Sequence, residues 1–70
     1  MVYRKEADRL IVRDVKQKLR EMRRDRHPAT WRWAVSASHG EHPDWFRHYP
    51  DMFAVEPILR EAGVDMDENY

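Results

Sequence analysis

Residues 3–26 contain neither glycine nor proline. Good helix formers dominate this stretch, and a run of that kind favours one uninterrupted α-helix. Placed at about 100° per residue, Tyr3, Ala7, Leu10, Ile11, Val15, Leu19 and Met22 gather on one broad face, with Val12 at its edge. Lys5, Arg9, Arg13, Lys16, Arg20 and Arg23 step along the chain by 4, 4, 3, 4 and 3. They collect within an arc of roughly 80° on the opposite side, which makes a basic ridge rather than a scatter of charge. Asp14 and Glu21 flank Lys18 at helical spacing, so each is expected to pair with it. His27-Pro28 is expected to end the helix, because a residue before proline is pushed out of the α region.

The ridge belongs to a larger asymmetry. Residues 1–26 carry ten Lys/Arg against five Asp/Glu, a net of +5, while residues 27–70 carry three against eight, a net of −5. Formal neutrality therefore hides a dipole, and a basic first half points toward an anionic partner.

Length sets a second expectation. Twenty-four helical residues span roughly 36 Å, whereas the other 44 residues would pack into a body of roughly 24 Å. About two turns of the helix should then overhang, with Val12, Val15, Leu19 and Met22 spaced to form a seam with another chain. An antiparallel homodimer is the simplest arrangement that would cover them.

The body is aromatic and punctuated by proline. Trp31, Trp33, Trp45, Phe46, Tyr49 and Phe53 all lie within residues 31–53 and are assigned to the core. Residues 30–38 read two ways. Trp31, Trp33, Val35 and Ala37 alternate with smaller or polar residues, as in a strand. Pro28 and Gly40 instead suit the start and stop of a helix, and no second good strand exists to pair with, so a helix near 28–38 is preferred. Pro43-Asp44-Trp45-Phe46 is echoed by Pro50-Asp51-Met52-Phe53, which predicts two turns anchored by apolar pairs. Pro57 starts a helix over 58–62 or kinks one over 51–62, and Gly63 suits its C-terminal cap. Residues 64–70 show no packing pattern and are expected to be a flexible acidic tail beyond a single domain, residues 1–63. The fold class is thus all-α, three or four helices, with the long basic amphipathic helix packed on an aromatic-rich helical hairpin.

Several function classes are disfavoured. No apolar run follows the charged N-terminus, so no signal peptide is expected. Apolar stretches such as Leu10-Ile11-Val12 are far too short to span a membrane. The absence of cysteine fits a reducing compartment, so a cytoplasmic location is expected. His39, His42 and His48 with Asp44 and Asp51 offer metal-ligand residue types but no standard zinc spacing, so neither a metal nor another cofactor is expected. Ser36, Ser38, His39 and Asp44 supply the residue types of a nucleophile relay without a recognisable motif, and an enzyme is not expected.

Two binding readings remain. In the first, Lys5, Arg9, Arg13, Lys16, Arg20 and Arg23 hold the phosphate backbone of a nucleic acid. In the second, the chain is a small inhibitor or adaptor docking on a larger protein through Leu10, Val15, Leu19, Met22, Trp45, Phe46 and Phe53. Trp31 and Trp33, beside Arg32, have the chemistry to stack on bases, but the core assignment is preferred for both.

Overall fold

The computed structural model describes residues 3–64 and residue 66. Three α-helices, α1 (Arg4–Arg24), α2 (Trp31–Glu41) and α3 (Glu56–Glu61), are connected through two 3-10 turns, Pro43–Phe46 and Met52–Val55. No β-strand occurs among the described residues; residues 31–38 belong to α2, which begins three residues after Pro28, and Thr30 is its extended cap.

The first helix is organised by one narrow stripe. Ala7, Ile11, Val15 and Leu19, each four residues after the last, are buried. Burial of Ile11, Val15 and Leu19 contributes roughly 1.5–3 kcal/mol each. Leu10, Val12 and Met22 are only half-buried, and Tyr3, at the N-cap, is 80% exposed. Against the stripe pack Trp31, Ala34 and Val35 of α2, Phe46 and Val55 of the two turns, and Leu59 of α3.

The end of α1 differs from the sequence expectation. The helix stops at Arg24, with Asp25 as its cap, before His27-Pro28 can act on it. The His27 amide donates to the Met22 carbonyl at 2.8 Å and the Arg26 amide to the Arg23 carbonyl at 3.2 Å. This is a Schellman motif, and it needs a left-handed residue. Arg26 fills that place with φ 61°. The end of α3 uses the same device: the Val64 amide bonds the Leu59 carbonyl, the Gly63 amide bonds that of Arg60, and the left-handed residue is Gly63 at φ 80°.

Thr30 starts α2, its hydroxyl accepting from the Trp33 amide at 3.4 Å. Trp31, Ala34, Val35 and Ser38 are buried, at helical spacing, where a strand would have buried residues 31, 33, 35 and 37 together. The predicted stop at Gly40 is wrong. The helix runs through Gly40 to Glu41 and ends because His42 precedes Pro43 and adopts φ −134°. The two Pro-Asp echoes are also not equivalent. Pro43 sits inside its 3-10 turn, whereas Asp51 caps the second from outside, accepting from the Phe53 amide at 3.3 Å. The second turn passes directly into α3, whose first turn holds Pro57.

The connecting chain lies along α1 instead of forming a compact hairpin beside it. Tyr49 reaches the first turns of α1 through a hydrogen bond from its hydroxyl to Asp8 and Arg4 stacked 5.7 Å above its ring. Met22, at the other end, packs on the core. The molecule measures 35 × 23 × 18 Å, its longest axis close to the roughly 31 Å of a 21-residue helix. The two-turn overhang is therefore absent, and with it the reason for inferring a second copy. Packing also continues past residue 63: Val64 is buried and Met66 packs on the core. Residues 65 and 67–70 of the expected tail lie outside the described residues.

Two local defects generate stability predictions. Ser38 is fully buried and its hydroxyl has no hydrogen-bond partner, a state costing about 1–3 kcal/mol. Ser38→Ala should raise stability by about 1 kcal/mol in urea denaturation, and a loss of stability would mean the hydroxyl is satisfied. Arg26→Gly should add roughly 0.5–1 kcal/mol, the relief of left-handed strain less the greater unfolded-state freedom of glycine. An unchanged midpoint for this variant would show that Arg26 is not strained.

Candidate functional site

Because the buried stripe of α1 is narrow, the opposite side of the helix is left to solvent. Lys5, Arg9, Arg13, Lys16, Arg20 and Arg23 are all exposed. Among the described residues, Lys5, Arg9, Arg13, Lys16 and Arg20 take part in no ion pair. Arg23 does interact within the chain. Asp8 and Glu61 line the same shallow groove as Arg9, and this is where acids come near the ridge. Lys16, Arg20 and Arg23 border a second groove with Leu19, Gly63 and Val64.

Charges that hold the fold lie off the ridge. The Lys18 ammonium, 12% exposed, donates to Glu41 at 2.7 Å and lies 3.5 Å from Asp14. This ties the middle of α1 to the end of α2. Burial disfavours the charged ammonium, but the hydrogen bond to Glu41 and the charge of Asp14 outweigh it and hold the Lys18 pKa above its usual 10.5. Glu21, expected to pair with Lys18, instead accepts a hydrogen bond from Gln17 at 3.4 Å. Lys18 turns inward between Asp14 and Glu41, which leaves Glu21 on the solvent side.

The residues expected to form a protein-docking surface are dispersed. Val15, Leu19 and Phe46 are buried in the chain's own core and offer nothing to a partner. Leu10, Met22, Trp45 and Phe53 are half-buried. Trp45 is stacked on His42, ring centroids 3.8 Å apart and planes nearly parallel. Phe53 meets Trp31 edge-on at 5.9 Å, and Arg32 lies over both rings, at 5.1 Å from Trp31 and 5.2 Å from Phe53. These are packing contacts of the aromatic body.

Trp33 departs from the core assignment. It is 68% exposed, because helical spacing turns residue 33 away from the side that buries 31, 34 and 35. It stands between two grooves. One, of about 320 Å³, is lined by Met22, His27, Pro28 and Trp33, and the other by Arg32, Trp33, Ser36 and Phe53. The sequence signal was available, since residues two apart on a helix cannot share a face.

His39 meets Phe46 edge-on at 5.2 Å, and no group of three or more His, Asp or Glu able to hold a metal exists among the described residues. Ser38 is buried, while Ser36 and Asp44 are exposed. No described helix is long and apolar enough to cross a membrane.

Tyr49 gives the loop region a measurable signature. Burial, aided by the hydrogen bond to Asp8, pushes its hydroxyl up from the usual 10 to about 12. The folded state thus favours the neutral phenol, and that contribution is complete below about pH 10 and lost as pH rises through about 12. Lys18 is common to wild type and Tyr49→Phe, so the difference between the two isolates the tyrosine. Tyr49→Phe should be less stable at neutral pH, and its melting temperature should fall less steeply above pH 10. Parallel alkaline melting curves would remove Tyr49 as an anchor of the loop.

Compared with known proteins, the chain matches no family model, no curated protein and no solved structure.

Proposed function

We propose that this protein binds nucleic acid through its phosphate backbone, using the exposed face of α1. One observation carries the reading. Six cations share one side of a single rigid helix, and five of them have no ion-pair partner among the described residues. Structural pairing accounts for Lys18, Arg60 and Arg24, but not for these five. Four of the six ridge residues are arginines, whose planar fork matches phosphate geometry better than an ammonium does. The ridge runs from Lys5 to Arg23, roughly 27 Å along the helix axis, long enough to follow several consecutive phosphates. Phosphate contacts fix position and register but read no sequence, so the expected binding is of low sequence selectivity.

The adaptor reading is weaker, since three of its seven proposed contact residues are core residues. Catalysis has no assembled group of reactive side chains to support it.

Counterion release supplies the test. With most of the ridge engaged, the logarithm of affinity should fall with the logarithm of salt concentration at a slope of about −4 to −5, so a fourfold increase in salt weakens binding by about 250- to 1,000-fold. Fluorescence anisotropy on a labelled oligonucleotide measures this directly. Arg13→Gln or Arg20→Gln should each reduce the slope by about 1 and leave the melting temperature unchanged. An absence of binding at low salt, or ridge variants that bind like wild type, rejects the reading.

A further inference from the structure

Trp33 and Arg26 both depart from what folding alone favours. Among the described residues, Trp33 is one of two large apolar side chains left mostly exposed, although it occupies the first turn of a helix with an otherwise well-buried face. Arg26 holds a left-handed conformation at a helix end where glycine costs least, and where the same chain does use glycine at Gly63. Strained backbone kept in place is an observation from which function is inferred. Both features occur together. His27, the residue after Arg26, lines the groove of about 320 Å³ beside Trp33, with Met22 and Pro28 as its other walls.

The surroundings are cationic. Residues 20–33 carry Arg20, Arg23, Arg24, Arg26 and Arg32 against Glu21 and Asp25. Arg24 is 3.5 Å from Asp25, while the Arg26 guanidinium has no ion-pair partner among the described residues. Beyond the C-terminal end of the ridge, Arg26 is followed directly in the chain by His27 and Pro28, which with Met22 and the exposed Trp33 indole line the groove. Single-strand-binding surfaces combine these two parts, a cationic track for the backbone and an aromatic face for a base. A duplex keeps its bases stacked inside and gives Trp33 nothing to receive.

We propose that the ligand is single-stranded nucleic acid, with one unstacked base resting on Trp33 in the groove formed by Met22, His27 and Pro28, and with Arg26 holding an adjacent phosphate. This rests on the ridge reading and adds to it strandedness and a base-contacting residue. Trp33 is largely solvated, so its removal should leave the fold intact.

The test uses the full chain with fluorescein-labelled oligo-dT and oligo-U of about 15 nucleotides, and a duplex of the same length, in anisotropy titrations at low salt. The wild type should prefer the single strands. Trp33→Ala should weaken binding to them by between about fivefold and about 150-fold and change duplex binding less than about twofold, with an unaltered circular dichroism spectrum. Trp33→Phe should restore most of the affinity, because a phenyl ring still stacks. Arg26→Gly should be more stable than wild type and yet bind single strands more weakly, an outcome that a purely structural role for Arg26 does not produce. Equal loss on both substrates, or none, overturns the stacking role while leaving the ridge intact. Failure of every oligonucleotide to bind at low salt removes the ridge reading and this one together. Sedimentation showing a wild-type dimer that Trp33→Ala converts to monomer would assign the indole to self-association and overturn the proposal. A preference for oligo-U over oligo-dT, or the reverse, identifies the natural strand chemistry.

Discussion

Everything in this molecule is arranged around the buried stripe on α1, Ala7-Ile11-Val15-Leu19. A helix of six residues, two 3-10 turns and an 11-residue helix have little intrinsic stability in water. Each persists because it shares one core with that stripe: Trp31 and Val35 come from α2, Phe46 and Val55 from the turns, and Leu59 from α3. The stripe keeps to residues four apart, so the buried side of the helix is narrow. Its narrowness leaves the far side uncovered, and the cations found there are exposed as a geometric consequence of how the core is built.

Charge is used in two distinct ways. Lys18, on the border of the stripe, is drawn inward between Asp14 and Glu41, where partial exclusion of water makes its interactions stronger than those of a surface pair. It fastens the centre of α1 to the end of α2. Lys5, Arg9, Arg13, Lys16 and Arg20 sit in high dielectric, take part in no ion pair among the described residues and contribute little to folding. Among the described residues, the acids of the second half form no ion pair with Lys5, Arg9, Arg13, Lys16 or Arg20. Glu41 and Glu56 pair elsewhere, and Glu61, which comes near Arg9, forms no ion pair with it.

Trp33 and Arg26 are the places where the local rules of folding are set aside. Natural sequences agree with themselves at most levels, and exceptions concentrate at functional positions. An exposed indole and a left-handed arginine would each be unremarkable alone. Trp33 lines a groove whose wall includes His27, the residue next to Arg26, and the proposed base-stacking site accounts for both.

The amino-acid sequence alone was sufficient for α1 and its two faces, because the 3.6-residue period is written directly into positions 4–24 and nothing in them interrupts it. It was also sufficient for the all-α class, for the proline-anchored turns and for Gly63 as a helix terminator. It could not decide how far the body extends along α1. That depends on whether residues 42–55 fold back on themselves or run beside the helix, and the choice is made by long-range contacts such as Tyr49 with Asp8. The same contacts cancelled the overhang. Local pattern also left open which aromatics are buried: a strand would have placed Trp31 and Trp33 on one face, while the Thr30 cap and the fit of Ala34 and Val35 against α1 selected a helix and turned Trp33 outward. Periodicity fixes which residues share a face, and only packing against distant parts of the chain decides which face meets the core.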